Sequence, residues 1–174
     1  MAHHAIVLKN YFPKKNKVTI FHQTFGKINF FIDEKHDAAK LCNGALIFCE
    51  VIKKRSTYQF LAIDPYFVPF QDDDLYDLYF IHDILKICLQ FMPDQLAMNE
   101  VFYLVMSMYE QLALFHGCKQ HMFLLKLFLC LGIFPENKTL YQQVMQGSHV
   151  HSDENEALLQ QGLRYCWNSD VNYS

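Results

Sequence analysis

Val18-Thr19-Ile20-Phe21-His22-Gln23-Thr24-Phe25-Gly26-Lys27-Ile28-Asn29-Phe30-Phe31-Ile32 is a stretch dominated by β-branched and aromatic residues, with a single glycine near its middle. Such residues fit a pleated, half-buried surface, and the run reads as two strands, Val18 to Thr24 and Ile28 to Ile32, with Gly26-Lys27 forming a tight hairpin between them. The same period of two extends in both directions: Ala5 to Lys9 precedes the hairpin, and Gly44 to Lys53 and Thr57 to Ile63 follow it. Pro13 and Asn16 break the first pair, and Lys53-Lys54-Arg55-Ser56 reads as a polar hairpin tip. Five strands with one long link, Asp33 to Asn43, suit a small Greek-key barrel of the OB type; a plain meander is the alternative.

Pro65 and Pro69 close the strand region and the period then becomes helical. Asp72-Asp73-Asp74 offer an N-cap and negative charge at a helix N-terminus. Leu75, Leu78, His82, Leu85, Leu89 and Met92 form a stripe, widened by Ile81, Ile84, Cys88 and Phe91 and stopped by Pro93. On that stripe His82 reads as a core side chain. A second helix starts at Asp94 and carries Val101, Leu104, Val105, Met108 and Leu112 as far as Gly117. A third runs from about Gln120 to Leu131 with Gly132 ending it. Thr139 to Gln146 and Asp153 to about Tyr165 suit two further short helices. The expected class is α+β: a five-stranded OB-type barrel over residues 1–70, then a helical domain over 71–174.

A chain of 174 residues buries roughly two-thirds of its unfolded surface, enough for a core without staples. With 52% hydrophobic and 19% charged residues it is neither disordered nor of low complexity. Cys42, Cys49, Cys88, Cys118, Cys130 and Cys166 contain no C-x-x-C pair and lie in apolar stretches, which fits buried thiols in a reducing compartment. The longest apolar stretch, Met122 to Phe134, is broken by Lys126 and falls short of the ~20 residues of a membrane span. Ala5 to Leu8 is too short for the apolar region of a signal peptide. A cytoplasmic protein is expected, with no membrane partner.

The formal charge of −3 conceals an asymmetry. Residues 1–70 hold ten Lys/Arg against five Asp/Glu, a balance of +5; residues 71–174 hold five against thirteen, a balance of −8. Lys14, Lys15 and Lys17 occupy one loop and Lys53, Lys54 and Arg55 a hairpin tip, with Lys9, Lys27, Lys35 and Lys40 elsewhere in the same half. Phosphate backbones are bound through such cations with counterion release, and single strands add stacking on aromatic faces. Tyr11, Phe12, Phe25 and Tyr58 stand close enough in sequence to serve as platforms. The plainer alternative is a solvated barrel rim around core aromatics.

The usual catalytic signatures are missing: there is no G-x-G-x-x-G, G-x-x-x-x-G-K-[ST], G-x-S-x-G or H-E-x-x-H. No enzyme and no cofactor are expected. His116, Cys118 and His121 form the tightest cluster of metal-ligating residues and His149-x-His151 the next, but neither has the second pair that structural zinc requires. Asp72, Asp73, Asp74 and Asp77 are better read as helix-capping than as a Mg²⁺ site.

Ala5-Ile6-Val7-Leu8-Lys9, then Val18-Thr19-Ile20-Phe21, then Phe25-Gly26-Lys27-Ile28-Asn29-Phe30-Phe31, then Gly44-Ala45-Leu46 resemble, in order and spacing, the opening strands of the RecO family of bacterial DNA repair and recombination. Leu75 to Phe91, the helix from Asp94, and Phe123-Leu124-Leu125-Lys126-Leu127-Phe128-Leu129-Cys130-Leu131-Gly132-Ile133 resemble its helical part. The resemblance covers about residues 5–135. It implies an OB domain on a helical domain and a non-catalytic, nucleoid-associated recombination mediator. Such a protein binds single-stranded DNA, anneals strands, and works with RecR to load RecA onto DNA coated by single-strand-binding protein. It also implies that the helices receive that protein's acidic C-terminal tail, for which Lys119, Lys126 or the nearby histidines are candidates. The DNA contacts expected here are Lys9, Lys14, Lys15, Lys17, Lys27, Lys53, Lys54 and Arg55, with Tyr11, Phe12 and Tyr58.

Two departures bear on that expectation. No cysteine cluster follows Gly132, so the zinc module of some members is missing, and no metal is expected. The loop Asp33 to Lys40, strongly basic in the family, is near neutral here, which motivates a second reading: a reduced scaffold that keeps its protein partners without DNA. A metal-dependent enzyme using His116, Cys118 and His121 is the third.

Overall fold

The computed structural model describes residues 3–31, 41–55, 57–69, 77–114 and 116–133, together with Ala157 and Gln160. Five strands come first: β1 His3–Asn10, β2 Lys17–His22, β3 Gly26–Phe31, β4 Leu46–Lys54 and β5 Thr57–Phe67. Three α-helices follow: α1 Leu78–Phe91, α2 Asn99–Tyr109 and α3 Cys118–Cys130. The class is α+β. The strands form one antiparallel sheet in the order β3-β2-β1-β4-β5. Two hairpins carry the chain through β1, β2 and β3, and the long link returns β4 to the free side of β1, which is the Greek-key order. In a meander β4 would lie beside β3, and it does not. The edge strands β3 and β5 meet through Phe30 and Phe60, ring centroids 4.1 Å apart, but the hydrogen-bonded sheet is open between them.

Alternation along the strands builds the core. Ala5 and Val7 of β1, Val18 and Ile20 of β2, Ile28 and Phe30 of β3, and Ile47 and Cys49 of β4 share the inward face and are fully or almost fully buried. Each such Ile or Val contributes about 1.5–3 kcal/mol through burial. The β2–β3 hairpin turns earlier than the glycine suggests: Gln23, Thr24 and Phe25 form the turn and Gly26 already pairs with His22. The cause is His22, whose Nδ1 accepts from the backbone N–H of Thr24 at 3.0 Å and of Phe25 at 3.2 Å. Gly26 then adopts φ +69°, with the backbone carbonyl of Leu96 lying where a Cβ would stand.

The helices depart from expectation at their starts and faces. α1 begins after Asp77, whose carboxylate accepts from the Phe80 N–H at 3.1 Å. The expected cap at 72–74 lies outside the described residues. The buried face of α1 carries Phe80, Ile81, Ile84, Leu85, Ile87 and Cys88. This rotates the stripe enough to expose His82, so the expectation of a core histidine is corrected. Asp94 starts no helix: Gln95 sits at φ +58°, its N–H donates to Lys27 O at 2.8 Å, and α2 begins only at Asn99. Residues 94–98 instead cross the start of β3. At the end of α3, Gly132 at φ +68° donates to Leu129 O and Ile133 to Phe128 O, both at 3.0 Å, a Schellman closure at the expected glycine.

Composition divides the chain at residue 70, whereas compactness divides it after Leu112, into Met1–Leu112 and Ala113–Ser174. The first unit holds α1 and α2 because both pack on the sheet. Phe102 of α2 meets Phe21 edge-on at 5.1 Å, and Tyr109 Oη donates to Gly44 O at 3.0 Å. In the second unit α3 buries Phe123, Leu124, Leu125, Leu127 and Phe128. The helices expected at 139–146 and 153–165 and the 33–40 loop, with Lys35 and Lys40, lie outside the described residues. No described helix is long and apolar enough to cross a membrane.

Candidate nucleic-acid interface

Two groups of cations and aromatics stand out, at opposite ends of β1. The first surrounds the β1–β2 loop. Asn10 anchors it: its N–H donates to Asn43 Oδ1 at 2.8 Å, its Nδ2 to Leu41 O at 3.0 Å, and its Oδ1 accepts from the Phe12 N–H at 2.9 Å. Backbone bonds from Tyr11 to Lys17 O and from Lys15 to Tyr11 O, both 3.0 Å, close the loop. Within it Lys9 Nζ and Lys17 Nζ lie 5.1 Å and 5.2 Å from the centroid of Tyr11, a cation–π arrangement. Lys14 and Lys15 are exposed at the loop's outer turn. Phe12 is 53% exposed, and so is the aromatic here whose face a base can reach without displacing an ammonium group.

Lys9 reaches this group through a register shift. In a regular strand it shares the inward face of Ala5 and Val7. A bulge between Val7 and Lys9 absorbs Leu8, so Lys9 pairs with Thr19 and turns outward. The outward face of β1–β2–β3 therefore has two parts. In one, Ile6, Phe21 and Lys27 lie in a row, and α1 and α2 cover it. In the other, Lys9, Thr19 and Asn29 form a row and Lys17 pairs with Phe31. In that part Lys9, Asn29 and Phe31 are exposed, Phe31 to 80%, while Thr19 between Lys9 and Asn29 is buried.

Lys27 belongs to the covered part. Its Nζ donates to Leu89 O at 2.8 Å, near the C-terminus of α1, and pairs with Asp94 at 3.2 Å, with 12% of its side chain exposed. There it complements the negative end of the helix and holds the 94–98 crossing. The structure brings Lys9, Lys14, Lys15, Lys17, Tyr11 and Phe12 together and separates Lys27 from them. Asn29 and Phe31, which were not among the expected contacts, are exposed beside this group; alternation alone puts them with Lys27 on the face opposite Ile28 and Phe30.

The second group is the β4–β5 tip. Lys53, Lys54 and Arg55 are exposed, Arg55 at φ +54°, and Lys53 Nζ lies 5.8 Å from the centroid of Tyr58. Tyr58 packs on Phe25 at 5.3 Å, and Phe25 on His22 at 4.9 Å. His3 pairs with Cys49 in the antiparallel β1–β4 ladder, so the tip extends beyond the start of β1 while the first group lies at and beyond its end. The two groups therefore lie towards opposite ends of β1, whose eight residues extend over about 26 Å at ~3.3 Å each.

His22, between the tip and the core, is fully buried. Burial, and secondarily the nearby His3, pushes its pKa down to about 4, so it stays neutral with Nδ1 as acceptor. Its Nε2 has no partner among the described residues. Cys49 and Cys88, both buried, have thiols pushed up to about 12 by desolvation and are not nucleophiles. His116 contacts Ala113 O at 3.1 Å, and no group of three or more His, Cys, Asp or Glu side chains converges among the described residues.

No protein-family model and no curated protein matches this chain.

Proposed function

We propose that this chain binds single-stranded DNA across the open part of its sheet and acts as a RecO-like recombination mediator, a non-catalytic role in annealing and, with RecR, in loading RecA. The observation that carries the reading is the placement of Lys9 and Lys17 over Tyr11, with exposed Phe12, Lys14 and Lys15 in the same loop, next to the part of the β1–β2–β3 face that the helices leave uncovered. The Greek-key order of the strands and the approach of β3 to β5 agree with an OB fold, whose strands 2 and 3 and flanking loops bind oligonucleotides. A strand that also reaches Lys53, Lys54 and Arg55 spans the length of β1, within the ~4–16 nucleotides of OB-type sites.

The chemistry is neutralisation without bond-making. Lysines cancel phosphate repulsion between two strands and leave base edges free to pair. The acidic second half favours protein partners over DNA, and RecR and the tail of single-strand-binding protein are assigned there as part of this reading.

Anisotropy of a labelled oligonucleotide over a salt series tests it. Binding weakens with salt, and the log–log slope shrinks by about 0.7 for each phosphate contact removed when Lys14, Lys15, Lys53 or Lys54 is changed to Ala. Binding that is absent, or indifferent to salt, refutes the DNA reading and leaves the protein scaffold.

A further inference from the structure

We infer that Phe31 and Asn29 form a nucleobase subsite, Phe31 as a stacking platform and Asn29 as a hydrogen-bond donor that favours bases bearing a ring carbonyl. The inference rests on the single-stranded DNA reading and adds residues and a base preference to it. Phe31 lies on the polar face of an edge strand, 80% exposed, where period-two alternation calls for a hydrophilic residue. Its cross-strand neighbour is Lys17, whose ammonium group reaches Tyr11. An aromatic face open to solvent beside a group of lysines has the chemistry of a single-strand platform, because every base has a π-face and every nucleotide a phosphate.

Asn29 stands two residues before Phe31 on the same face, about 7 Å along the strand, within reach of the edge of a base stacked on the ring. Its orientation is fixed. Thr19 Oγ1, on an almost fully buried residue, donates to Asn29 Oδ1 at 2.6 Å. One of the two lone pairs of the carboxamide oxygen is thereby used, and Nδ2 has no partner among the described residues. Asparagine reads adenine by using both ends of its amide, accepting from N6 and donating to N7. With one Oδ1 lone pair turned to Thr19 and both N–H donors open, the amide suits the carbonyl oxygens of thymine, cytosine or guanine, whereas bidentate pairing with adenine has only the remaining lone pair to use.

Oligo(dT) and oligo(dA) binding by the full chain and by variants at these two positions tests the subsite. Phe31→Ala lowers affinity for both oligonucleotides about tenfold while leaving the salt slope unchanged, since no phosphate contact is lost. Phe31→Trp restores binding, and its indole fluorescence is quenched on adding either oligonucleotide. Asn29→Ala weakens oligo(dT) about fivefold and oligo(dA) less than twofold, narrowing their ratio. Circular dichroism melts of each variant establish that the fold is kept. If the wild-type chain binds with the expected salt slope and Phe31→Ala binds equally well, the subsite is overturned and the electrostatic reading stands. If Asn29→Ala weakens both oligonucleotides alike, the carbonyl preference is overturned. If no oligonucleotide binds the wild-type chain, both readings fall together.

Discussion

The outward face of β1–β2–β3 divides into two surfaces made from the same strands. The row Ile6, Phe21 and Lys27 is covered, and its lysine is bound to Leu89 O and Asp94. In the neighbouring row Lys9 and Asn29 are exposed on either side of a buried Thr19, Phe31 beyond them is exposed too, and Lys9 and Lys17 lie over Tyr11. Residue type does not distinguish the two, since each has cations beside aromatics. What differs is whether α1, α2 and the 94–98 crossing lie above. A lysine that caps a helix terminus supports the fold; one left over a solvent-facing ring is available to a phosphate. On the proposed reading, substitutions in the covered row act on stability and those in the exposed row on oligonucleotide binding.

The largest effect is expected at the crossing that separates the two surfaces. Gly26→Ala forces a side chain into a left-handed backbone and onto the Leu96 carbonyl, which displaces the segment whose Gln95 N–H bonds to Lys27 O. Strain and overpacking together predict a loss of about 3–5 kcal/mol in chemical denaturation. A loss below about 1 kcal/mol contradicts the tight approach of the 94–98 segment.

Next is the buried histidine. The pKa of His22 is about 4 in the folded chain and near 6.5 when unfolded, so the unfolded state takes up the proton first as pH falls. The stability associated with neutral His22 is complete above pH 6.5 and is lost as pH drops towards 4. Between pH 7.5 and pH 5 the loss is about 2 kcal/mol. His22→Asn keeps an oxygen to accept from the Thr24 and Phe25 amides but does not titrate. Urea denaturation at the two pH values reads the difference: the variant loses about 2 kcal/mol less than the wild type over that interval, and equal losses refute the assignment.

Within the covered row, Lys27→Met removes a charged donor from the Leu89 carbonyl and leaves that helix-end group without its partner, at a cost of about 1–2 kcal/mol. Asp94, 66% exposed, contributes little of this. Because Lys27 is not in the open surface, the salt slope of oligonucleotide binding stays that of the wild type. A slope reduced as much as by Lys14→Ala shows that the division between the two surfaces is misplaced.

These contrasts also show what was readable beforehand. The five strands, the α+β order, the helix stop before Pro93 and the closing role of Gly132 were legible because each is set by residues close in sequence: alternation, proline or glycine chemistry. The inward positions of β2 and β3 were legible for the same reason. Lys9 and Lys27 were not separable. The outward turn of Lys9 depends on a bulge at Leu8 fixed by pairing with β2, and the engagement of Lys27 on a carbonyl 62 residues further on. His82 was misplaced because the apolar stripe of α1 is wide enough to be rotated either way, and contact with the sheet decides which edge is buried. The start of α2 at Asn99 likewise follows from the bond between Gln95 and β3, a long-range constraint that overrides the capping chemistry of Asp94.

The smallest expected change in stability tests the far end of β1, where the tip is exposed but its backbone is strained. Arg55 occupies φ +54°, a conformation that favours glycine. Arg55→Gly relieves that strain at some entropic cost in the unfolded chain, so stability should rise by up to about 1 kcal/mol rather than fall. The same substitution deletes one cation, and if the tip engages the strand the salt slope should drop by about 0.7. A variant that is at least as stable yet binds with a shallower slope separates charge from fold at this position. If stability is kept and the slope is unchanged, the β4–β5 tip lies outside the bound strand, and recognition is confined to the open surface around Tyr11 and Phe31.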